Sequence, residues 1–317
     1  MNATPISPDD AFAGAAQRGN ELRPTLSYFG QPVLKRPHWN WNVVAYLFLG
    51  GLMGGSGLLA ALADESAEPG HRLLARNAKY ASFILSALCP VILIGHLGRP
   101  ERFHYMLRIV KIKSPMSLGV WGLTAFSGLA GMNAAASLFG IRTRIFNAPQ
   151  AAMGLFIAGY TGVLISATAI PIWAKGKYHI PAMSVCSGLA GACALHAALL
   201  PAGALSARKR LERLETVAAV AEAVLVFDFR RYGGDYAKPM FEGKIGAKLR
   251  NVTLIGGIAI PVAIALVSGV RGGHVSRTLS FASGVLALAG GYVLRESLIE
   301  SGKRSADDPA AGLRQPE

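Results

Sequence analysis

Hydrogen-bonding and aromatic side chains recur near one end of the first four apolar segments of the chain. Asn42 lies at the start of the first segment, His96 at the end of the second, and Trp121 at the start of the third, while Arg99 follows the second segment directly. Tyr160 lies about halfway along the fourth. A quinone ring requires this combination: donors to its carbonyl oxygens, an aromatic or apolar slot, and lipid access for its tail. These five residues are therefore the predicted quinone-binding site.

His96 and Tyr160 are the predicted catalytic residues, because an imidazole and a phenol can each donate a hydrogen bond to a quinone carbonyl oxygen. His96 can also exchange a proton near neutral pH. Arg99 can hold the loop or stabilise negative charge on reduction. Simpler interpretations stand beside these. His96 can cap a helix end and Arg99 can fix topology. Trp41, Trp121 and Trp173 fit an interfacial aromatic belt. Tyr160 can bond a neighbouring helix.

Three carboxyl groups in the sixth apolar segment predict a proton path. Glu215 and Glu222 are seven residues apart and share one face of a helix, and Asp228 lies near the far end. An ionisable group inside a membrane span is energetically costly and marks a proton or substrate route in many proteins. The alternative is that this segment is partly interfacial and its carboxyl groups are hydrated.

The chain around these residues has the composition of a membrane protein. Of its 317 residues, 52% are hydrophobic and 16% charged, against about 25% charged in soluble domains. The apolar residues form eight blocks, and backbone that crosses a bilayer must be helical to satisfy its own hydrogen bonds. The predicted spans are Trp41–Leu62, Tyr80–Leu97, Ser117–Leu138, Ala151–Trp173, Ile180–Leu200, Leu214–Phe229, Asn251–Val267 and Val275–Leu298.

We therefore predict an all-α integral membrane protein with about eight transmembrane helices packed as two four-helix bundles. Its predicted parts are a polar N-terminal segment (1–40), a transmembrane domain (41–300) and a flexible C-terminal tail (301–317). More Lys and Arg fall on the side of both termini than on the other, so the positive-inside rule places both termini in the cytoplasm. The net charge of +14 is then a topology signal, and no nucleic-acid partner is predicted.

Metal chemistry within the chain is not expected. The three cysteines, Cys89, Cys186 and Cys193, lie in apolar spans without a CxxC motif, so they predict neither a metal site nor an iron–sulfur cluster. Haem would need two imidazoles at matching depth on facing helices. His96 and His196 fall at opposite surfaces, so haem is disfavoured as well.

Several motifs resemble the NrfD/polysulfide reductase membrane-subunit family. The most specific are LGRPERF at 97–103, MLR at 106–108 and SPMSLGVW at 114–121. Weaker matches are YLFLGG at 46–51 and GYTG at 159–162. The number and order of the spans are compatible with this family from about residue 41 to residue 302.

The resemblance implies a quinone-interacting membrane anchor without its own redox centre, in a bacterial inner (cytoplasmic) membrane. Its partners would be a ferredoxin-like iron–sulfur subunit and a molybdopterin-type catalytic subunit, and its quinone menaquinone or ubiquinone. Members often carry His-Asp before LGRP, whereas Gly95 and His96 stand here, which makes His96 the expected substitute. The alternative function is a secondary transporter or proton-conducting subunit, because of Glu222 and the helices rich in small residues.

Overall fold

A computed structural model describes residues 34–95, 99–141, 143–270 and 276–308. In this part of the chain every regular element is a helix, which confirms the predicted all-α class. Residues Pro100–Leu107 form a 3-10 helix and Leu249–Ala259 a π-helix. The α-helices are α1 Trp41–Asp64, α2 Pro69–Ile94, α3 Pro115–Leu138, α4 Arg144–Ser166, α5 Pro171–Lys175, α6 His179–Leu199, α7 Leu205–Phe241, α8 Gly243–Lys248, α9 Ile260–Val270 and α10 Arg277–Asp307.

Six helical segments of the described chain are long and apolar enough to cross a membrane: α1, α2, α4, α6, α10 and the continuous segment Gly243–Ser268. The predicted count of eight is therefore not confirmed, because α3 and α7 do not reach the same apolarity. α3 is 24 residues long, whereas α7 has 37 residues and carries many charges. Gly234, with a positive φ of 49°, breaks α7 near its end.

Two helices extend well beyond their apolar blocks. α2 begins at Pro69 rather than at Tyr80, so its first turns carry charged side chains. α10 continues to Asp307, and residues 301–307 are therefore helical rather than part of the predicted tail. Ser301 and Ser305 are fully buried there. The apolar blocks underestimated the lengths of both helices, because the ends of these helices carry polar side chains that are nevertheless packed in the protein.

The helices form two groups. In the first, α1 packs against α2 and α4, and α3 packs against α2 and α4. In the second, α10 packs against α6 and the π-helix, and α7 packs against α6. α6 also packs against α1 and α4, which joins the groups. The arrangement agrees with the prediction of two bundles of helices.

Glycines allow the helices at the centre to approach closely. A Cβ atom at Gly54 of α1 would lie 2.3 Å from the carbonyl oxygen of Gly154 on α4. A Cβ atom at Gly188 of α6 would lie 2.8 Å from the carbonyl oxygen of Gly51 on α1. Small residues give such contacts in membranes, where lipid provides no hydrophobic drive between helices. α1 is thus fixed on both sides by glycine contacts.

The two ends of the structure differ, and we call them the loop face and the opposite face. The loop face contains residues 99–114, together with α5 and both described ends of the chain. Trp39 and Trp173 stack there with ring centroids 4.9 Å apart, and Arg36 pairs with Asp307 at 3.4 Å. Trp173 is fully buried and donates a hydrogen bond to the carbonyl oxygen of Leu298, so it is not an interfacial aromatic.

The opposite face is held by a polar network around Asp64, the last residue of α1. Lys79 Nζ donates hydrogen bonds to Asp64 Oδ1 at 2.8 Å and to Thr143 Oγ1 at 2.6 Å. Asn147 donates to Asp64 Oδ2, and Asn133 of α3 donates to Asn147 Oδ1 at 3.0 Å. Charged and amide groups thus connect all four helices of the first bundle near one membrane surface.

Candidate functional site

An apolar groove, here called the α3–α4–α6 groove, opens on the protein surface beside the loop face. Its volume is about 570 Å³, within the range typical of small-molecule sites. Lys113 and Tyr160 are the polar side chains among the described residues that line it, and the remaining lining side chains are apolar. The groove therefore suits a ligand with a large apolar part and a small polar end.

Tyr160 lies at the inner side of this groove and is 5% exposed. Its hydroxyl donates a hydrogen bond of 2.6 Å to the carbonyl oxygen of Pro115, the first residue of α3. Its ring stacks on Phe156 at a centroid distance of 5.8 Å. The phenol is thus held in one orientation, and its hydroxyl lies where α3 begins.

The position of Tyr160 depends on glycines in the SPMSLGVW motif and the residue that follows it. A Cβ atom at Gly119 would lie 2.0 Å from the Tyr160 hydroxyl oxygen, and one at Gly122 would lie 2.5 Å from the Phe156 ring. Larger residues would push both rings out of their places. Glycines at these two positions therefore leave the space that the Tyr160 and Phe156 rings occupy.

Tyr46 of α1 is a further candidate to which the sequence analysis assigned no chemistry. It is 4% exposed and lies near enough to Tyr160 and Cys89 for electrostatic interaction. Asn42 is half-buried one helical turn earlier on α1, on the same side as Tyr46. A tyrosine in an apolar run looks like a packing residue. The occurrence of Tyr46 in the YLFLGG motif was the one sequence feature that could have indicated a functional role.

The other predicted quinone ligands are distributed differently. His96 lies outside the described residues. Arg99 is exposed on the loop face, immediately before the 3-10 helix. Trp121 is 37% exposed on α3 and does not line the groove. Tyr160 is therefore the one predicted ligand whose side chain the described structure brings to the groove.

The loop face beside the groove combines cations with exposed apolar side chains. Ile109, Val110 and Ile112 are 58%, 61% and 77% exposed. Arg108 and Lys111 in the same segment are also exposed. The Ser117 hydroxyl accepts a hydrogen bond from the backbone N–H of Lys111 and donates one to the carbonyl oxygen of Ile109, which ties this segment to α3. The segment is an ordered surface with the composition of an interaction site.

The predicted row of carboxyl groups lies in the second bundle. Glu215 and Glu222 line the same small cavity of about 10 Å³, close to the space that one water molecule needs. Both side chains are buried, and one oxygen of each has no hydrogen-bond partner in the described structure. Glu215 also lines a second cavity nearer the opposite face, together with Glu212 and Ser280.

Arg295 of α10 provides the positive charge near Glu222. It is 2% exposed, and its guanidinium interacts electrostatically with the Glu222 carboxyl group. It donates hydrogen bonds to the Ser187 hydroxyl and, at 3.2 Å, to the carbonyl oxygen of Ser184. Both serines belong to α6. Val185, which follows Ser184 in the chain, lines the α3–α4–α6 groove. The charged cluster and the groove therefore contact the same helix.

Asp228 lies apart from these buried groups. Its side chain is 62% exposed and accepts a hydrogen bond from His179 Nε2 at 2.9 Å. His196, by contrast, is fully buried and lies 3.1 Å from the Ser56 hydroxyl. Among the described residues, no cluster of three or more His, Cys, Asp or Glu side chains could hold a metal ion.

The chain belongs to the NrfD family, described as "Polysulphide reductase, NrfD", which it matches over residues 32–305. The match covers most of the chain and confirms the family inferred from the sequence motifs. Membrane subunits of this family are quinone-interacting anchors of oxidoreductase complexes. No curated protein matches the chain.

Proposed function

We propose that this protein is the quinone-reactive membrane subunit of an oxidoreductase complex. It would exchange electrons and protons between the quinone pool and an iron–sulfur partner subunit. The observation that carries this proposal is the α3–α4–α6 groove, which is apolar, open at the protein surface and lined by the phenol of Tyr160. A lipophilic carrier, menaquinone or ubiquinone, could enter it from the membrane without crossing water.

In this proposal a bound quinone supplies a two-electron, two-proton redox couple. Tyr160 donates a hydrogen bond to one carbonyl oxygen after its hydroxyl turns away from Pro115. His96 donates to the other carbonyl oxygen and exchanges a proton, and Arg99 stabilises negative charge near the ring. Asn42 and Trp121 do not line the α3–α4–α6 groove, so the proposal gives them no direct contact with the quinone.

The loop face would receive the partner. The exposed apolar side chains of residues 109–112 can bury area against a protein, and the neighbouring cations can select an acidic surface. The proposed partner is a ferredoxin-like iron–sulfur subunit that passes electrons to or from a molybdopterin-type catalytic subunit. The complex would lie in a bacterial inner membrane with both termini of this chain in the cytoplasm.

Proton delivery would use the second bundle. Glu215 and Glu222 line one cavity, and Arg295 links Glu222 to α6, which also borders the groove. Protons could therefore move from the opposite face through Glu212 and Glu215 towards the quinone site. The same residues support the second candidate function, a proton-conducting or secondary-transport subunit. Asp228 is exposed on the loop face, so it could take part in the proton route only where that route reaches the loop face.

Filling the groove in the intact complex tests the proposed function. Ala152 lines the groove, so Ala152→Phe should raise the KM for quinone and lower quinone-linked turnover by about tenfold or more. Reduction of the partner's clusters by a soluble donor should not change. Ala125→Phe is the matched control, because Ala125 is exposed on α3 and does not line the groove.

Two results would contradict the proposal. One is equal quinone kinetics in the Ala152→Phe and Ala125→Phe complexes. The other is purification of the intact chain from its native membrane without any cluster-containing subunit or quinone. Proton movement across liposomes that contain this chain alone would favour the second candidate function.

A further inference from the structure

A second groove, here called the α7–π groove, lies at the loop face between the end of α7 and the helix that follows it. Its volume is about 670 Å³, and it extends from Gly243 at the surface to Ile258 and Ala223 deeper in the helices. Phe227 and Ile255 on its walls are 51% and 47% exposed, as expected for side chains that face lipid.

Two guanidinium groups are the charged groups of this groove. Arg230 lies with its guanidinium 5.6 Å from the centroid of the Phe241 ring, and Phe241 also lines the groove. The Nε atom of Arg250 donates a hydrogen bond of 3.3 Å to Asn251 Oδ1. Both arginine side chains are exposed, and in the described part of the chain neither forms an ion pair with a carboxylate.

Nearby lysines contrast with these arginines. Lys248 pairs with Glu296 at 2.5 Å, and Lys238 pairs with Asp235 at 2.7 Å. Among the described lining residues, no side chain carries a carboxyl or a hydroxyl group. The groove therefore offers two uncompensated positive charges at its mouth above an apolar interior.

One wall of the groove is the π-helix Leu249–Ala259, an eleven-residue segment that includes Arg250. π-helical turns are rare and occur frequently at functional sites. The irregular backbone and the unpaired Arg250 therefore occur in the same segment, opposite Arg230 of α7.

We propose that the α7–π groove is a specific site for an anionic phospholipid. Its phosphate would lie between Arg230 and Arg250, because guanidinium groups bind phosphate oxygens in a bidentate manner. Its acyl chains would run along Phe227, Ile255 and Ile258 towards the bilayer centre. Basic pockets between transmembrane helices bind anionic head groups in this way. A quinone is a weaker match, because a neutral ring needs no pair of cations.

The test measures lipid binding to the purified, full-length protein in detergent by native mass spectrometry. Dioleoylphosphatidylglycerol is the probe and dioleoylphosphatidylcholine the neutral comparison. The Arg230→Gln/Arg250→Gln double variant should bind the anionic lipid roughly 25-fold more weakly, because each interfacial arginine contributes about fivefold. Binding of the neutral lipid should not change.

Arg231→Gln is the matched control, because Arg231 is exposed on the same turn of α7 but does not line the groove. It should bind the anionic lipid like the unaltered protein. If the double variant fails to fold, Ile255→Trp provides a second test, since it fills the apolar part and leaves both arginines in place. It should also weaken binding of the anionic lipid.

Equal binding of the two lipids would overturn the proposal, as would equal losses in the Arg231→Gln and double variants. Displacement of the lipid by a short-chain quinone would assign the groove to quinone instead. Displacement by glycerol 3-phosphate at similar concentrations would reduce the site to a simple anion site. The lipid and anion outcomes leave the proposed quinone chemistry of the α3–α4–α6 groove unchanged, whereas displacement by quinone would make the α7–π groove a competing quinone site.

Discussion

The hydroxyl of Tyr160 on α4 donates a 2.6 Å hydrogen bond to the carbonyl oxygen of Pro115, the first residue of α3. Residues 99–114 lead directly into Pro115, so this bond connects the loop face to the α3–α4–α6 groove. A ligand that takes the Tyr160 hydroxyl as a donor must compete with Pro115. Occupancy of the groove and the position of the loop can therefore influence each other.

Tyr160→Phe should lower quinone-linked turnover of the intact complex by about 100-fold, the lower end of the usual contribution of a proton-donating group. The phenyl ring keeps its stacking on Phe156, and loss of the hydrogen bond should destabilise the protein by only about 1 kcal/mol. Tyr232→Phe is the control, because Tyr232 is 49% exposed and lies outside the groove. Unchanged turnover in Tyr160→Phe would remove this residue from the proposed chemistry.

Glu222→Gln tests the proton route. It keeps the size of the side chain but removes the carboxylate beside Arg295, so proton uptake coupled to quinone turnover should slow by about tenfold. The KM for quinone should stay the same, because Glu222 does not line the groove. A pH-indicating dye enclosed in liposomes with the complex measures the proton flux.

Asp228→Asn is the control for Glu222→Gln, because Asp228 is exposed and pairs with His179. It should leave proton uptake within about twofold of the unaltered complex, since an exposed pair contributes little. Equal slowing in the two variants would mean that the buried position of Glu222 has no special role.

The apolar blocks predicted the order of the long helices, because the side chains of each block are buried in the protein or face lipid. They did not predict helix ends that carry charge but remain packed. Lys79 is the clearest example: it is 3% exposed in α2, yet a hydropathy argument assigned it to a loop. Its burial depends on Asp64, which is 15 residues earlier and on another helix.

Residues of the candidate site were easiest to propose from the sequence where one residue type carries the chemistry on its own. Tyr160 and Glu222 stood out because a hydroxyl or a carboxyl group inside an apolar run needs a partner. Tyr46 was not predicted to take part in the site, and Trp173 was predicted as an interfacial aromatic although it is buried. In both cases the residues that surround the side chain come from distant segments. Trp173, for instance, is buried by Trp39 and by α10, and nothing near it in the sequence indicates this.

The ion pair between buried Lys79 and half-buried Asp64 should stabilise the first bundle. Lys79→Met removes two hydrogen bonds from a charged donor and leaves Asp64 without its cation, so the free energy of unfolding should fall by about 2–3 kcal/mol. Chemical unfolding of the purified protein in detergent measures this change.

Lys248→Met provides the comparison for Lys79→Met. Lys248 pairs with Glu296, but both side chains are partly exposed, at 49% and 32%. This substitution should therefore change the free energy of unfolding by no more than about 1 kcal/mol. Equal effects at the two positions would show that burial does not strengthen the Lys79 pair.

Glycines of similar appearance in the sequence should differ sharply in their tolerance of a side chain. Gly54→Ala places a Cβ atom 2.3 Å from the carbonyl oxygen of Gly154, so α1 and α4 must separate. Gly128 belongs to the string SGLAG, which occurs at residues 127–131 and again at 187–191, yet a Cβ atom at Gly128 meets nothing within 4 Å. Gly128→Ala should be neutral or stabilise α3 by up to about 1 kcal/mol, because alanine favours helix more than glycine does.

Gly54→Ala should instead lower the free energy of unfolding by about 1–3 kcal/mol, the usual effect of forcing extra atoms into a packed interior. Thermal unfolding of both variants in the same detergent gives a direct comparison. Because the two substitutions are chemically identical, helix propensity favours both, and a difference between them must come from the distance between α1 and α4. Equal stability of the two variants would contradict the close contact of these helices at Gly54.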